Sequence, residues 1–466
     1  QPEWSPIVIA TSVALLCSIE NSIINMGEWP YLRQLDPLAT SSFFGLVSST
    51  ARLGHALFVF AFAYWAHRQH VTKLPLLAGR LVTLLGCILY LLIEYVPNHR
   101  RYALLLCYFL FGIGFSTAAL LRSYVAAMSS HANRAPAYAM LNAATVLSLI
   151  IGPLAQLAFS SIPYPGYEIL PGMRFHIYSA PIWFALITNL IVIAVLIFLF
   201  EDPPIVEKSL ELKSNSFSDL PSSPSSSSLV SRSLSHLRSA PFAWSLVVLL
   251  VFEKFASHLT LSTISVLAGP MMTSVFAFRG ETTVIVMAVA QFFVGILAVV
   301  LTAMFVFCKL GKRVNSRVLF LFSNIIFLVG YVVSFPWDFV TVPHHPYNAT
   351  TRTGCNEEEY KWCATSRATV PYAFVPVLIV VIGLAFPSSN ISIDSIYSKL
   401  LGPGNQNLMQ GVIVVAEDIM MILGPIYASQ IFTRFGIDVL WPINAAVVLI
   451  SSTIWIAAWK HLKPYH

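Results

Sequence analysis

The sequence predicts an all-α membrane protein with twelve transmembrane helices in two six-helix bundles. Its residues are 57% hydrophobic and only 10% charged, whereas soluble domains carry about 25% charged residues. Twelve apolar stretches are long enough to cross a bilayer, which takes about 20 residues. A Ser/Pro-rich segment divides them into six and six. Because a lipid-exposed strand would leave backbone groups unpaired, these stretches are predicted to be helices.

The predicted spans follow one another along the whole chain. Spans one to six cover roughly 6–27, 41–66, 74–96, 102–128, 136–160 and 176–200. Spans seven to twelve cover roughly 242–268, 282–307, 315–336, 371–399, 408–432 and 438–459. The intervening "SNSFSDLPSSPSSSSLVSRSLSHLRS" is predicted to be flexible. The predicted regions are a six-helix bundle at 1–200, a cytosolic Ser-rich linker at 201–241 and a second six-helix bundle at 242–466.

The connection between spans nine and ten predicts the orientation. It contains "NAT", a glycosylation acceptor at Asn348, and "CNEEEYKWC", in which Cys355 and Cys363 are close enough to form a disulfide. Both features are typical of an oxidising, non-cytosolic compartment; a chance acceptor and two free thiols are the alternatives. A modest excess of Lys and Arg on the opposite side agrees with the positive-inside rule. Both termini are therefore predicted to be cytosolic, and we expect a tail before Gln1.

A repeated phrase links the two halves. Span five contains "IIGPLAQLAF", with Gly152 and Pro153, and span eleven contains "ILGPIYASQIF", with Gly424 and Pro425. The equivalent positions predict a parallel structural repeat, although Gly-Pro pairs are also simply frequent in membrane helices. The prolines are predicted to bend both helices, and the glycines to allow close helix packing.

Several motifs identify a family by resemblance. The "GP" of span five, a basic connection "AHRQHVTK" after span two and "FGIGF" in span four resemble the major facilitator superfamily, the last two only in part. The motifs "LLRSY", "FHIYSAPI", "VFEK", "FPWD", "YSKLLGP" and "SQIF" resemble a lysosomal branch of that superfamily associated with neuronal ceroid lipofuscinosis. The resemblance implies a major facilitator fold, a late endosomal or lysosomal membrane, and anion (chloride) flux.

Ionisable residues inside the spans are the candidate functional residues, because charges in hydrocarbon usually face a cavity or each other. In the resembled fold, helices one, four, seven and ten line a central cavity, and helices two, five, eight and eleven flank it. Arg80 and Glu94 lie nearer the ends of span three and are expected to snorkel. The charges well inside spans fall on the two cavity-side sets of helices: Glu20, Arg52, Arg122, Glu253, Lys254, Asp394, Glu417 and Asp418.

The carboxylates of spans one and seven each have two interpretations. Glu20, beside Asn21, is expected either to couple protons or substrate, or to pair with Arg52 on the neighbouring span. Glu253 is expected to face the central cavity as a coupling carboxylate, the alternative being an ion pair that fixes span seven. Lys254 is a poor partner for it, because adjacent residues point about 100° apart on a helix.

The charges near the cytosolic end have two interpretations as well. Arg122 is expected either to hold an anion bidentately or to tie a cytosolic gate to Asp394. Only one member of the adjacent pair Glu417 and Asp418 can face the cavity squarely, and this pair and Arg52 depart from the resembled branch.

The predicted function is transport of a small solute or anion by alternating access, with proton coupling through Glu20 or Glu253. An anion channel on the same scaffold and a non-transporting receptor or scaffold are the alternatives. The sequence has no metal-ligand spacing, phosphate loop or nucleophile triad, so neither enzymatic activity nor a cofactor is expected. The expected partners are the substrate and the lipid bilayer but not nucleic acid, and we expect a monomer.

Overall fold

Twelve long apolar helices dominate the fold. The computed structural model describes residues 4–69, 71–129, 134–202, 244–308, 313–339, 341–401 and 406–463. Twelve helices within these ranges are long and apolar enough to cross a membrane, which confirms the predicted number of spans. The predicted linker lies outside the described residues from position 203 onward.

The first half of the chain supplies spans one to six. They are the helices Trp4–Ile24, Ser41–Gln69, Lys73–Leu91, Arg100–Phe115 continued by Thr117–Met128, Arg134–Ala158 and Ala180–Phe198. A short helix, Glu28–Leu35, joins spans one and two, and we call it the loop-side helix. An antiparallel hairpin of β1 (Tyr167–Leu170) and β2 (Met173–Phe175) joins spans five and six.

The second half supplies spans seven to twelve. They are the helices Trp244–Pro270, Gly280–Val306, Ser316–Ser334, Pro371–Val380 with Phe386–Leu401, Gln406–Phe435 and Ile437–Ala457. π-Helical turns follow span seven at Met271–Val275 and interrupt span ten at Val381–Ala385. Such turns are rare and occur frequently at functional sites.

The buried core shows that the halves are joined at one end. Because the number of spans is even, span one begins and span twelve ends on the same side, which we call the terminal side. The connection 335–370 lies on the opposite, loop side. One large buried cluster contains residues of both halves, among them Trp29, Tyr31, Met272 and Trp362. The two smaller clusters each belong to a single half, so these described cores stay separate.

The repeated Gly-Pro phrases make equivalent contacts in the two halves. A Cβ added at Gly152 of span five would lie 2.6 Å from the Ser22 hydroxyl of span one, and a Cβ at Gly424 of span eleven would collide with Ser262 of span seven. Each fifth helix therefore packs through its glycine against the first helix of its own half. That Pro153 and Pro425 bend these helices stays a prediction.

Two other glycines bring backbones of opposite halves into contact. A Cβ at Gly45 of span two would lie 2.6 Å from the carbonyl oxygen of Pro425 in span eleven. A Cβ at Gly295 of span eight would lie 2.6 Å from the carbonyl oxygen of Leu149 in span five. The halves therefore touch through small residues along the helix pairs two–eleven and five–eight.

Candidate functional site

A cavity of about 350 Å³ lies between the two halves. Trp29 and Phe44 line it near the loop side, and Leu121 and Leu141 extend it toward the terminal side. Its second-half wall includes Ser262, Ser265, Gly269, Met287, Met421 and Pro425. The polar and charged side chains on its first-half wall include Asn21, Glu28, Arg52, His55, Arg80 and Arg122.

Arg52 is the central cation of this cavity. Its side chain is exposed to the cavity, and no residue in the described ranges forms an ion pair with it within 4 Å. It interacts electrostatically with Glu28 of the loop-side helix and with Asp418 of span eleven. A guanidinium that has left bulk water without a close partner can bind an anion through several N–H donors.

Glu28 is a cavity residue that the sequence interpretation missed. Burial raises the pKa of Glu28 to about 8, and the nearby Arg52 guanidinium opposes this rise. Because the predicted first span, roughly 6–27, ends just before Glu28, the sequence places this residue in a connection and not among the charges inside spans. The signal that could have found it is an acidic residue directly after an apolar span, in "GEWP". Asn21, by contrast, lines the cavity and accepts a hydrogen bond from Asn25 at 3.3 Å.

The predicted pairing of Glu20 with Arg52 is wrong. Glu20 is completely buried, accepts a hydrogen bond from Thr188 Oγ1 at 2.8 Å and forms an ion pair with Arg80 at 3.0 Å. The expectation that Arg80 snorkels is also wrong, since its exposed fraction is 1% and it donates to the Gly114 carbonyl at 2.6 Å. Both side chains can stay buried because Glu20 and Arg80 neutralise each other's charge.

The expectation that Glu253 faces the central cavity is wrong as well. Glu253 is completely buried and accepts a hydrogen bond from Ser451 of span twelve, an outer helix. Its other oxygen, Oε1, has no hydrogen-bond partner within the described part of the chain. Asn324 of span nine donates to the Ser451 hydroxyl at 3.1 Å, so the carboxylate lies in a polar contact among spans seven, nine and twelve.

Arg122 does not reach its predicted partner. It is exposed and lines the cavity, whereas Asp394 is bonded to Lys254 at 2.7 Å. Lys254 also pairs with Glu417 at 2.5 Å, and its side chain is only 2% exposed. A buried ammonium requires counter-charges, so Lys254 binds both carboxylates and joins spans seven, ten and eleven. The predicted gate between Arg122 and Asp394 is therefore not formed in this conformation.

A set of polar contacts, which we call the loop-side clasp, ties the loop-side helix to the connection 335–370. Arg33 Nη1 donates to Glu359 Oε2 at 2.6 Å, and the Ser41 amide donates to Glu359 Oε1 at 3.3 Å. Arg352 Nη1 donates to the carbonyl oxygens of Arg33 and Gln34 at 2.6 and 2.7 Å. Glu359 therefore binds at the N-terminus of span two, where the helix dipole favours an anion. Arg352 binds at the C-terminus of the loop-side helix, where the dipole favours a cation.

A disulfide braces the second-half side of the clasp. Cys355 and Cys363 are joined, with Cα atoms 5.8 Å apart, and Glu359 lies inside the loop that they close. The indole of Trp362 donates to the Phe432 carbonyl at 2.8 Å, which fixes this loop to span eleven. Asn348 lies exposed in the same connection, and its glycosylation stays a prediction.

Further contacts close the cavity next to the clasp. The Trp29 indole donates to Thr273 Oγ1 in the π-helical turn after span seven at 2.7 Å. The hydroxyl groups of Ser41 and Ser42 bond to Thr433 at the end of span eleven at 2.6 and 2.8 Å. The hydrogen bonds that join described residues of opposite halves all lie on this side. Across the described ranges, no group of three His, Cys, Asp or Glu side chains could hold a metal ion.

Comparisons with known proteins agree with this architecture. The sequence profile of the Major Facilitator Superfamily matches residues 10–425. The chain is 25% identical, over 99% of its length and 92% of the relative, to major facilitator superfamily domain-containing protein 8 of Xenopus laevis. Its fold is similar to that of a D-xylose-proton symporter, with a TM-score of 0.65, 11% identity and 98% and 97% coverage of the two chains. It is equally similar to that of the peptide transporter POT, with a TM-score of 0.65, 14% identity and 99% and 95% coverage.

Proposed function

Because the chain belongs to the major facilitator superfamily, we propose that it is a secondary transporter that moves a small anionic solute by alternating access. The observation that carries this proposal is the exposed Arg52 in a cavity between the halves. A cation in the membrane interior is costly unless a partner or a substrate compensates for it. A cavity of about 350 Å³ accommodates a small solute. Arg122, further toward the terminal side, adds a second positive charge along the route.

We place this transporter in an endosomal or lysosomal membrane, with the loop side facing the lumen. The location rests on the resemblance of "LLRSY", "FHIYSAPI" and the other motifs to a lysosomal branch of the superfamily. The glycosylation acceptor at Asn348 and the disulfide between Cys355 and Cys363 support the lumenal assignment of the loop side. Both termini then face the cytosol, and the cavity extends toward the cytosolic side.

The closed loop side favours a carrier over a channel. An ion channel needs a continuous path, whereas the clasp and the Trp29–Thr273 hydrogen bond close one end of the cavity. A carrier requires such a closed end in each of its two main conformations. In the alternate conformation, the clasp opens and the terminal side closes.

Flux measurements on purified protein in liposomes test the proposal. We expect chloride or acetate uptake that saturates with concentration, and we expect Arg52→Gln to abolish it. Arg434→Gln removes an exposed arginine outside the cavity and serves as the matched control, with unchanged uptake. Flux that rises linearly with concentration would indicate the channel instead. If Arg52→Gln transports both anions as well as Arg434→Gln does, the binding site is misassigned. Complete absence of flux for both anions would favour the receptor or scaffold.

A further inference from the structure

Glu28 lies where the charged cavity meets the contacts that close the loop side. Glu28 lines the cavity together with Arg52. The next residue in the chain, Trp29, donates the indole hydrogen bond that closes the loop side against Thr273. Gly269 of span seven packs directly on Trp29, so that a Cβ there would lie 2.8 Å from the Trp29 Cβ. A change in the charge of Glu28 therefore acts next to the contact that must break when the loop side opens.

The groups around Glu28 come from several elements. Arg52 of span two is the cation that attracts it. The phenols of Tyr90 in span three and Tyr108 in span four interact with it from the first half. From the second half, Asp418 of span eleven also interacts electrostatically with Arg52. The remaining titratable groups on the described cavity wall are Cys17, His55, Arg122 and Arg80, the last of which is paired with Glu20.

The charge balance around Arg52 decides whether an anion can bind there. With Glu28 and Asp418 both ionised, the two carboxylates outnumber the single guanidinium, and an entering anion meets net negative charge. A proton on Glu28 makes the group of three neutral and leaves Arg52 available to a ligand. Since the effects of two ligands on each other are reciprocal, anion binding must also favour protonation of Glu28.

We propose that Glu28 is the proton-binding residue of the cavity and that a small monovalent anion binds at Arg52 together with one proton on Glu28. This proposal rests on the proposed anion transport and adds its coupling ion. The proton comes from the solvent on the side to which the cavity is open, and it leaves with the anion on the other side. One anion and one proton carry no net charge, so the transport cycle is electroneutral.

The position of Glu28 also explains how binding of the proton and the anion affects the contacts that close the loop side. When Glu28 is ionised, its attraction to Arg52 holds the loop-side helix against span two. When it is protonated, this attraction is lost and the bound anion replaces it as the partner of Arg52. The loop-side helix then loses its charge attraction to span two, while the clasp and the Trp29 hydrogen bond remain. The doubly loaded carrier is therefore the one in which the loop side opens most easily.

A chloride-binding assay on the whole protein in detergent tests the coupling. Binding is measured as the thermal shift in sodium chloride relative to sodium gluconate. Above about pH 8, where Glu28 loses its proton, we expect the chloride affinity to fall by about tenfold per pH unit. In Glu28→Gln the affinity should stay at its low-pH value between about pH 7 and about pH 9. Glu357→Gln, which neutralises an exposed carboxylate that does not line the cavity, should behave like the original protein.

Infrared spectroscopy provides a readout that needs no ligand. The carbonyl band of a protonated carboxyl group should disappear with a midpoint near pH 8, and this component should be missing in Glu28→Gln and present in Glu357→Gln. If chloride binds but Glu28→Gln keeps the pH dependence of the original protein, the proposal is overturned while anion transport stands. If the Glu28 band titrates as expected but neither chloride nor acetate binds at any pH, the proposed anion function fails and the coupling fails with it.

Discussion

Replacing Glu359 with glutamine should open the loop side. In the closed conformation Glu359 accepts from Arg33 at 2.6 Å and from the Ser41 amide at 3.3 Å. The side chains of Arg33 and Glu359 are each only 8% exposed. Glu359→Gln preserves the shape of the side chain but leaves Arg33 nearly buried without its counter-charge. When the loop side is open, both side chains face water and the substitution costs little.

The size of the effect follows from this difference in burial. Removing one partner of a buried ion pair typically costs about 3–5 kcal/mol. Because both side chains keep some exposure, we take the lower value, about 3 kcal/mol, for the closed conformation of Glu359→Gln. Each 1.4 kcal/mol changes an equilibrium about tenfold, so the ratio of open to closed molecules should rise roughly 100-fold.

Accessibility of the cavity from the loop side measures this ratio. Ser48 lines the cavity on span two, and Ser48→Cys can be introduced into a protein whose four free cysteines have been replaced. A membrane-impermeant maleimide added from the loop side should modify Cys at this position slowly when the clasp is intact. We expect the modification rate to increase at least about tenfold in the Glu359→Gln background.

Two variants decide whether the reasoning is correct. Glu358→Gln neutralises the neighbouring, exposed carboxylate and should leave the rate unchanged. The double variant Arg33→Gln/Glu359→Gln removes the uncompensated charge and should react more slowly than Glu359→Gln alone. Equal modification rates for Glu359→Gln and Glu358→Gln would refute the role of the clasp in closing the loop side.

Three further predictions concern packing, topology and a buried ion pair. Gly424→Ala should destabilise the protein by about 1–3 kcal/mol, because its Cβ collides with Ser262; Ser262→Gly should restore part of the melting temperature, and no recovery would argue against this contact. Treatment with an N-glycosidase should increase the gel mobility of the native protein, and Asn348→Gln should remove the effect; an unchanged shift in the variant contradicts the assignment. Arg80→Gln should destabilise the folded protein by about 3–5 kcal/mol because Glu20 is left buried and unpaired. If the double variant Arg80→Gln/Glu20→Gln is no more stable to heat than Arg80→Gln alone, this explanation is wrong.

The positions of the spans could be predicted from sequence because the bilayer leaves the chain few alternatives. The predicted sixth span, 176–200, contains the helix Ala180–Phe198, and the predicted twelfth, 438–459, agrees closely with Ile437–Ala457. Both follow from apolar length alone, since a chain in lipid must satisfy its own backbone groups. The predicted third span, 74–96, is too long, because 93–95 form a separate short turn after the helix Lys73–Leu91.

The partners of the interior charges could not be predicted in the same way. Sequence indicates that a buried Glu20 needs a counter-charge, but the choice between Arg52 and Arg80 depends on how each helix is rotated about its axis. The same rotation decides between the adjacent Glu253 and Lys254. With Lys254 directed at the carboxylates of spans ten and eleven, Glu253 is left to face span twelve. The clasp involves side chains in connections, where no helical periodicity indicates direction.

The glycine contacts between the halves determine which relative motion of the halves costs little free energy. At Gly45 and Gly295 the helix backbones approach closely, and the side chains nearest to these glycines are Ser429 and Ile150. Two such close contacts on opposite flanks of the cavity act as a pair of pivots, about which one half can rotate against the other without unpacking its interior. A larger side chain at either position would clash with the neighbouring helix each time the halves move during the transport cycle. Turnover would then slow while the solute is still bound with unchanged affinity, because the pivots govern the speed of this rotation and not the chemistry of the cavity.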